Sequence, residues 1–273
     1  MPSIDDVPNE VLLEIVKNDS ISQAMYRSYL LVNKRFHGLL KFELLPNIPI
    51  RIGSTEISSF LKFVTTSGMA PHIRYLWINA GPKKATHVAR VIYACTNLIG
   101  LACSKIALFA LCAPPEEDQE FAHTALTELT LFGSFQCWAT LETPRPPHPH
   151  AEALCAQITH LRLQDAISRD FAAALFPALT HFASSLYLGG IGDVGSVALL
   201  APLPCLEQIV YSTYHWSDAP GALDEKTIDW LEKDPRIRLL FLGTDACEFD
   251  LWCGRAWNES CIWTKDTGER SIL

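Results

Sequence analysis

The sequence predicts an α/β chain in which a short all-helical N-terminal stretch precedes an irregular solenoid of strand–helix units. Three observations predict it: a strand pattern that recurs seven times from Ile73 onward, apolar stretches of helical spacing between the copies, and a proline-opened amphipathic helix ahead of them all. The boundaries that follow are residues 1–45 for the helical stretch, 46–243 for the repeats and 244–273 for a C-terminal cap.

The opening helix starts near Pro8, which suits a first turn whose amides have no intrahelical partner, and Glu10 suits the positive end of the helix dipole. Val11, Leu12, Ile15 and Val16 form one broad apolar face, with Asn9, Glu14 and Lys17 on the wet side. Asn18, Asp19 and Ser20 break the pattern, and Ser20 or Ser22 can cap a second helix carrying Met25, Tyr29, Leu30 and Leu31. A third short helix is expected from about Asn33 to Leu40. Taken by itself, this stretch reads as an amphipathic helical hairpin that closes the end of a larger domain.

The residues Val7-Pro8-x-Glu10-Val11-Leu12-x-x-Ile15-Val16 and Leu30-Leu31-Val32-Asn33-Lys34-Arg35-Phe36 also resemble the F-box, with Val7 standing where Leu is usual. An F-box docks onto the small Skp-type adaptor of cullin–RING ubiquitin ligases. The resemblance covers the first 42 residues or so and implies an adaptor-binding surface made by Val7, Pro8, Val11, Leu12, Ile15, Val16, Leu31, Val32 and Phe36.

In Asn47 to Gly53, Ile48, Ile50 and Ile52 alternate as in a strand, and Pro49 makes it an edge strand. Ser54 or Thr55 can cap the next helix, where Ile57, Phe60, Leu61 and Val64 keep helical spacing up to Gly68. The recurring pattern then begins: six residues, apolar at the first, fourth and sixth places. Its copies are Ile73/Leu76/Ile78, Leu98/Leu101/Cys103, Leu126/Leu129/Leu131, Ile158/Leu161/Leu163, Leu179/Phe182/Ser184, Leu206/Ile209/Tyr211 and Ile237/Leu240/Leu242. The spacing of their starts is close to the roughly 20–29-residue leucine-rich-repeat period.

Helical stretches such as Val88, Val91 and Ile92 lie between the copies. A strand–helix unit cannot bury its apolar side alone, so stacked neighbours bury it together. This part resembles a degenerate leucine-rich-repeat array; it departs from that family at the ninth place, where Asn or Cys is usual and Gly81, Ile106 and Ser134 are among the residues found. An acidic insert, Pro114 to Glu120, and a proline-rich one, Glu142 to His150, read as solvated loops. The tail, with Trp252, Trp257 and Trp263, is too aromatic for a flexible end and reads as a cap over the last repeat.

Composition narrows the function. The chain of 273 residues is 49% hydrophobic, and its 22 Lys and Arg against 30 Asp and Glu give a net charge of −8, which argues against binding nucleic acid by neutralising phosphates. Met1 to Glu10 lacks the basic region and apolar core of a signal peptide, and the longest apolar run, Ile106 to Pro115, is too short to span a bilayer. The expectation is an intracellular protein of cytoplasm or nucleus with no membrane partner. Nine cysteines without a CxxC pair predict buried free thiols rather than disulfides or a zinc site.

Candidate chemistry is sparse. Leu188 to Gly195 contains G-x-G-x-x-G, yet Pro202 and Pro204 end the following helix after barely two turns, and no acidic residue closes the next strand, so a tight turn explains the glycines. His160 and His181, at the third place of neighbouring copies, could form an acid–base or metal pair, but no carboxylate stands between them and a binding face suits them better. No catalytic residue, metal ligand or cofactor is expected.

The expected function is therefore a substrate-recognition subunit of a cullin–RING ubiquitin ligase, non-enzymatic, with the adaptor and through it a cullin at one end and an unknown target protein at the other. The alternative is a leucine-rich-repeat-like interaction scaffold with no ligase connection. Because successive strand residues alternate faces, the third, fifth and seventh places should form an open concave surface. Tyr75, Trp77, Phe132, His160, Arg162, His181 and Phe241 stand there as target-binding candidates, aromatic and Arg side chains being the usual anchors of interfaces.

Overall fold

The apolar places of the strand pattern build the sheet: Ile73, Leu76 and Ile78 are fully buried, as are Leu98, Leu101 and Cys103 one copy on, and Ile158 and Leu161 further along. The computed structural model of the chain describes residues 7–17, 23–29, 31–112, 121–133, 150–165, 167, 171–185, 198–200, 202–214, 233–242, 247–256 and 261–264. Its strands are β1 (Ile50–Gly53), β2 (Tyr75–Asn79), β3 (Gly100–Ser104), β4 (Glu128–Phe132), β5 (His160–Leu163), β6 (His181–Ser185), β7 (Gln208–Tyr214) and β8 (Ile237–Leu242). They form one parallel sheet of 8 strands in sequence order, with β1 at one edge, where Pro49 argues it should be.

The helices are α1 (Asn9–Lys17), α2 (Gln23–Tyr29), α3 (Lys34–Glu43), α4 (Ile57–Ser67), α5 (Ala85–Ala94), α6 (Lys105–Cys112), α7 (Ala151–Gln157) and α8 (Glu248–Ala256). Helix α4 ends at Gly68, whose φ of +66° is a left-handed conformation that glycine adopts without steric cost. Neither Ser54 nor Thr55 caps it; the helix follows Glu56, whose Oε2 accepts a hydrogen bond from the Gly53 amide at 3.0 Å. Helices α4, α5, α6 and α7 pack in that order, each on the next. Their apolar residues, among them Ile57, Leu61, Val88, Val91, Leu108 and Leu154, join the fourth- and sixth-place strand residues in one core on the first face of the sheet.

The expected division into an all-helical module and a leucine-rich-repeat-like solenoid does not hold. The chain is an α/β fold around a single eight-stranded, all-parallel sheet, and Leu12, Tyr26, Leu40, Leu44 and Leu45 of the N-terminal segment lie in the same core cluster as Ile50, Ile52 and Leu76. The reason is physical: three short helices have too little apolar surface to enclose a core of their own, so their apolar side chains join the common core.

The last strand also departs from expectation. The seventh copy should set Leu240 beside Ile209, but Ile209 pairs with Ile237, Tyr211 with Leu239 and Ser212 with Leu240. A slip by an odd number of residues exchanges the two faces of a strand. Leu239, expected on the open side, therefore joins the main core, while Leu240 and Leu242 join Ala183 and Val210 on the opposite face. The run Ile237-Arg238-Leu239-Leu240 is apolar at neighbouring places, so its pattern alone does not choose between the registers.

Candidate functional site

The second face of the sheet is built by the places between the core residues. Register aligns Tyr75, Gly100, Glu128, His160, His181 and Gln208 in one row, and Trp77, Ala102, Thr130, Arg162, Ala183 and Val210 in the next. This row order is the one the sequence predicts. The open surface is not: Trp77 is 6% exposed, Arg162 3%, and Ala102 and Ala183 are fully buried.

A strap formed by α8 and Cys261–Thr264 covers them. Trp252 meets Tyr75 and Trp77 edge-on at ring centroid distances of 6.2 and 5.7 Å, and Phe249 meets Trp77 edge-on at 5.5 Å. Phe132 stacks on Trp77 at 5.1 Å, so the aromatic anchors expected to await a partner are filled by each other and by the strap. Arg162 holds Glu248 through two nitrogens, Nε donating to Oε2 at 2.9 Å and Nη2 to Oε1, while Nη2 also reaches Ser212 Oγ at 3.4 Å. Its third nitrogen, Nη1, is buried without a hydrogen-bond partner.

Further along, His160 and His181 stack at 4.3 Å with 10° between their planes, and Trp263 packs edge-on against both at 5.4 and 5.7 Å. Thr180 donates its hydroxyl proton to the Thr159 carbonyl at 3.0 Å, so its oxygen accepts from Nδ1 of His181 at 2.9 Å. Thr159 and His160 repeat the arrangement one strand earlier, at 3.3 and 2.9 Å. The strap backbone is held by Gln208 Nε2, which donates to the Trp263 carbonyl at 3.3 Å, and by Arg238 Nη2, which donates to that of Ile262. The tail thus does not stop at the last repeat; it lies across the second face from β2 to β8.

The N-terminal helices make a different surface. Arg35 of α3 donates through Nε to Asn9 Oδ1 at 2.8 Å and through Nη2 to the Val7 carbonyl at 2.7 Å, which ties the start of α3 to the start of α1. Beside this tie Val11 is 46% exposed, Val32 47% and Leu31 86%, and Pro8 is exposed as well. Val7 is half-buried, and Leu12 is 5% exposed and part of the core. The side chains of Ile15, Val16, Phe36 and Phe241 lie outside the described residues, as do the acidic loop, the proline-rich loop up to Pro149, and the glycine turn.

Among the described residues, Cys95, Cys103, Cys112, Cys155, Cys253 and Cys261 are buried free thiols as expected, whereas Cys205 is exposed and Cys247 half-buried; burial pushes the Cys95 and Cys155 thiols up to about 12. Between the rings of Tyr93 and Phe121, His123 is fully buried with neither ring nitrogen hydrogen-bonded, and burial followed by the nearby His150 lowers it to about 4. Among the described residues, no three His, Cys, Asp or Glu side chains are grouped to hold a metal, and no helix is long and apolar enough to cross a membrane.

Sequence reasoning missed Glu248, Phe249, Trp252 and Trp263 as members of this site. The signal was present in the tryptophan-rich tail, but nothing local says which surface those rings cover. No family model matches the chain, and no curated protein matches it.

Proposed function

We propose that this protein is a non-enzymatic recognition subunit of a cullin–RING ubiquitin ligase, acting in cytoplasm or nucleus, whose N-terminal helices bind a Skp-type adaptor. The observation that carries the reading is the exposure of Val11, Leu31 and Val32, large apolar side chains beside the Arg35 tie. Val11 lies on α1, and Leu31 and Val32 are adjacent in the turn between α2 and α3. Exposed apolar side chains gathered on a surface are the usual mark of a protein-binding site, and these residues are among those that resemble the F-box. The target would bind elsewhere, on the second face of the sheet once its strap has moved.

The test is capture of the adaptor and cullin by the full chain. Leu31→Asp and Val11→Asp should leave melting unchanged and abolish capture, because a carboxylate forced into a dry contact finds no partner. Capture that survives both changes removes the ligase reading. A second reading, an interaction scaffold with no ligase connection, is favoured by one observation: Leu12, Tyr26 and Leu40 are buried in the common core, as helices that merely close the end of the sheet would be.

A further inference from the structure

We propose that the second face of the sheet is a recognition surface for an acidic, aromatic peptide segment, and that α8 and Cys261–Thr264 are its resident occupant, displaced when such a segment binds. This rests on the reading that the target engages the sheet face, and it gives that target its chemistry; it does not depend on the adaptor.

Four observations carry it. Among the described residues, the strap is held through side chains: the Arg162–Glu248 pair, the ring contacts of Phe249, Trp252 and Trp263, and two bonds from side chains to its carbonyls are among the interactions that fix it. That is how a peptide ligand is held, rather than a strand of the sheet. The charges are complementary, since α8 carries Glu248 and Asp250 in its first turn. Besides Glu128 of the first row, the face carries Arg162, with Arg238 at one side and Arg51, 5.1 Å from the Phe249 ring, at the other, so that cations outnumber the anion.

The Arg162–Glu248 pair is nearly dehydrated, with side chains 4% and 10% exposed. A cover needed only for stability is served as well by an apolar pair, because dehydrating two ions offsets most of their attraction; an ion pair instead fixes which segment fits and in what orientation. Finally, Arg162 Nη1 is buried and unpaired, so Glu248 does not use the whole guanidinium. A segment offering a second acceptor would engage it more fully than the strap does.

A labelled synthetic peptide of residues 247–264 tests this under reducing conditions, added to the full chain. Because the resident strap competes, the peptide should bind the Glu248→Gln chain at least about tenfold more tightly than the unaltered chain. It should lose binding to an Arg162→Met chain, and a peptide with Gln in place of Glu248 should bind neither.

Thiol labelling reports the strap independently. Cys253 and Cys261 belong to the strap and are buried, Cys253 against Trp77 and Ala102 of the face, whereas Cys103 lies in the main core. In the Glu248→Gln chain, Cys253 and Cys261 should label at least about tenfold faster while Cys103 stays protected. Unchanged labelling in both Glu248→Gln and Trp252→Ala means a permanent cover and overturns the proposal. So does a Glu248→Gln chain whose Cys253 labels faster but which fails to bind the added peptide, or labelling of Cys103 in step with Cys253. Adaptor capture by each chain is measured alongside, so that loss of the ligase reading is seen separately.

Discussion

Arg162 of β5 holds Glu248 of α8 with two parallel hydrogen bonds, Nε to Oε2 at 2.9 Å and Nη2 to Oε1, and so joins the middle of the sheet to a segment 86 residues further along the chain. Both side chains are almost fully covered.

Breaking this pair from one side strands a buried charge. Glu248→Leu alone should weaken the hold of the strap by up to about 3–5 kcal/mol, whereas the double change Arg162→Met with Glu248→Leu should restore most of it. Hydrogen exchange of the amides of residues 248–256 measures both. A double variant as loose as the single one would mean that the charge pair supplies the hold by itself.

Gly100 sits beneath the Tyr75 ring, and a Cβ there would come within 2.8 Å of Tyr75 Cδ1 and 3.7 Å of Trp252. Gly100→Ala should therefore cost about 1–3 kcal/mol in urea unfolding, as overpacking does. Combined with Tyr75→Ala, it should cost clearly less than the sum of the two single changes, because the ring that clashes is gone.

Leu12 and Leu31 separate packing from binding. Leu12 is 5% exposed and lies in the core, so Leu12→Asp should cost several kcal/mol and lower the melting temperature of the whole chain. Leu31 is 86% exposed, and Leu31→Asp should change stability by no more than about 0.5 kcal/mol. Calorimetry of the two variants decides this before any binding measurement.

His123 sets part of the acid sensitivity. Its buried ring is lowered to about 4, against about 6.5 in the unfolded chain, so the unfolded state takes up the proton first. The stability it secures is complete above about pH 6.5 and is lost as pH falls toward 4, a total of about 3 kcal/mol. His123→Phe should flatten that portion of the stability profile, followed by urea unfolding between pH 7.5 and 4.5.

Local pattern was enough for much of the sheet. Ile73, Leu76 and Ile78 and their counterparts name the buried places because a strand alternates faces, and the shared pattern sets the same places side by side from β2 to β7. Pro49 marks the edge strand and Gly68 the end of α4 for reasons contained in single residues. The difference between Leu31, exposed in the turn before α3, and Leu12, buried on α1, was not legible, since the same surface was expected to hold both leucines and only the packed core tells them apart.

By itself, then, the sequence determined which residues face the helices and which form the opposite rows, because periodicity is a property of neighbours along the chain. Only the tertiary structure decided that β8 pairs three residues out of the expected register, that the N-terminal helices share the common core, and that Trp252, Trp263 and Glu248 cover Trp77, His160, His181 and Arg162. Those outcomes depend on contacts between segments far apart in sequence. An apolar or charged side chain records that it needs a partner, but the partner is fixed only when the folded chain brings one surface against another.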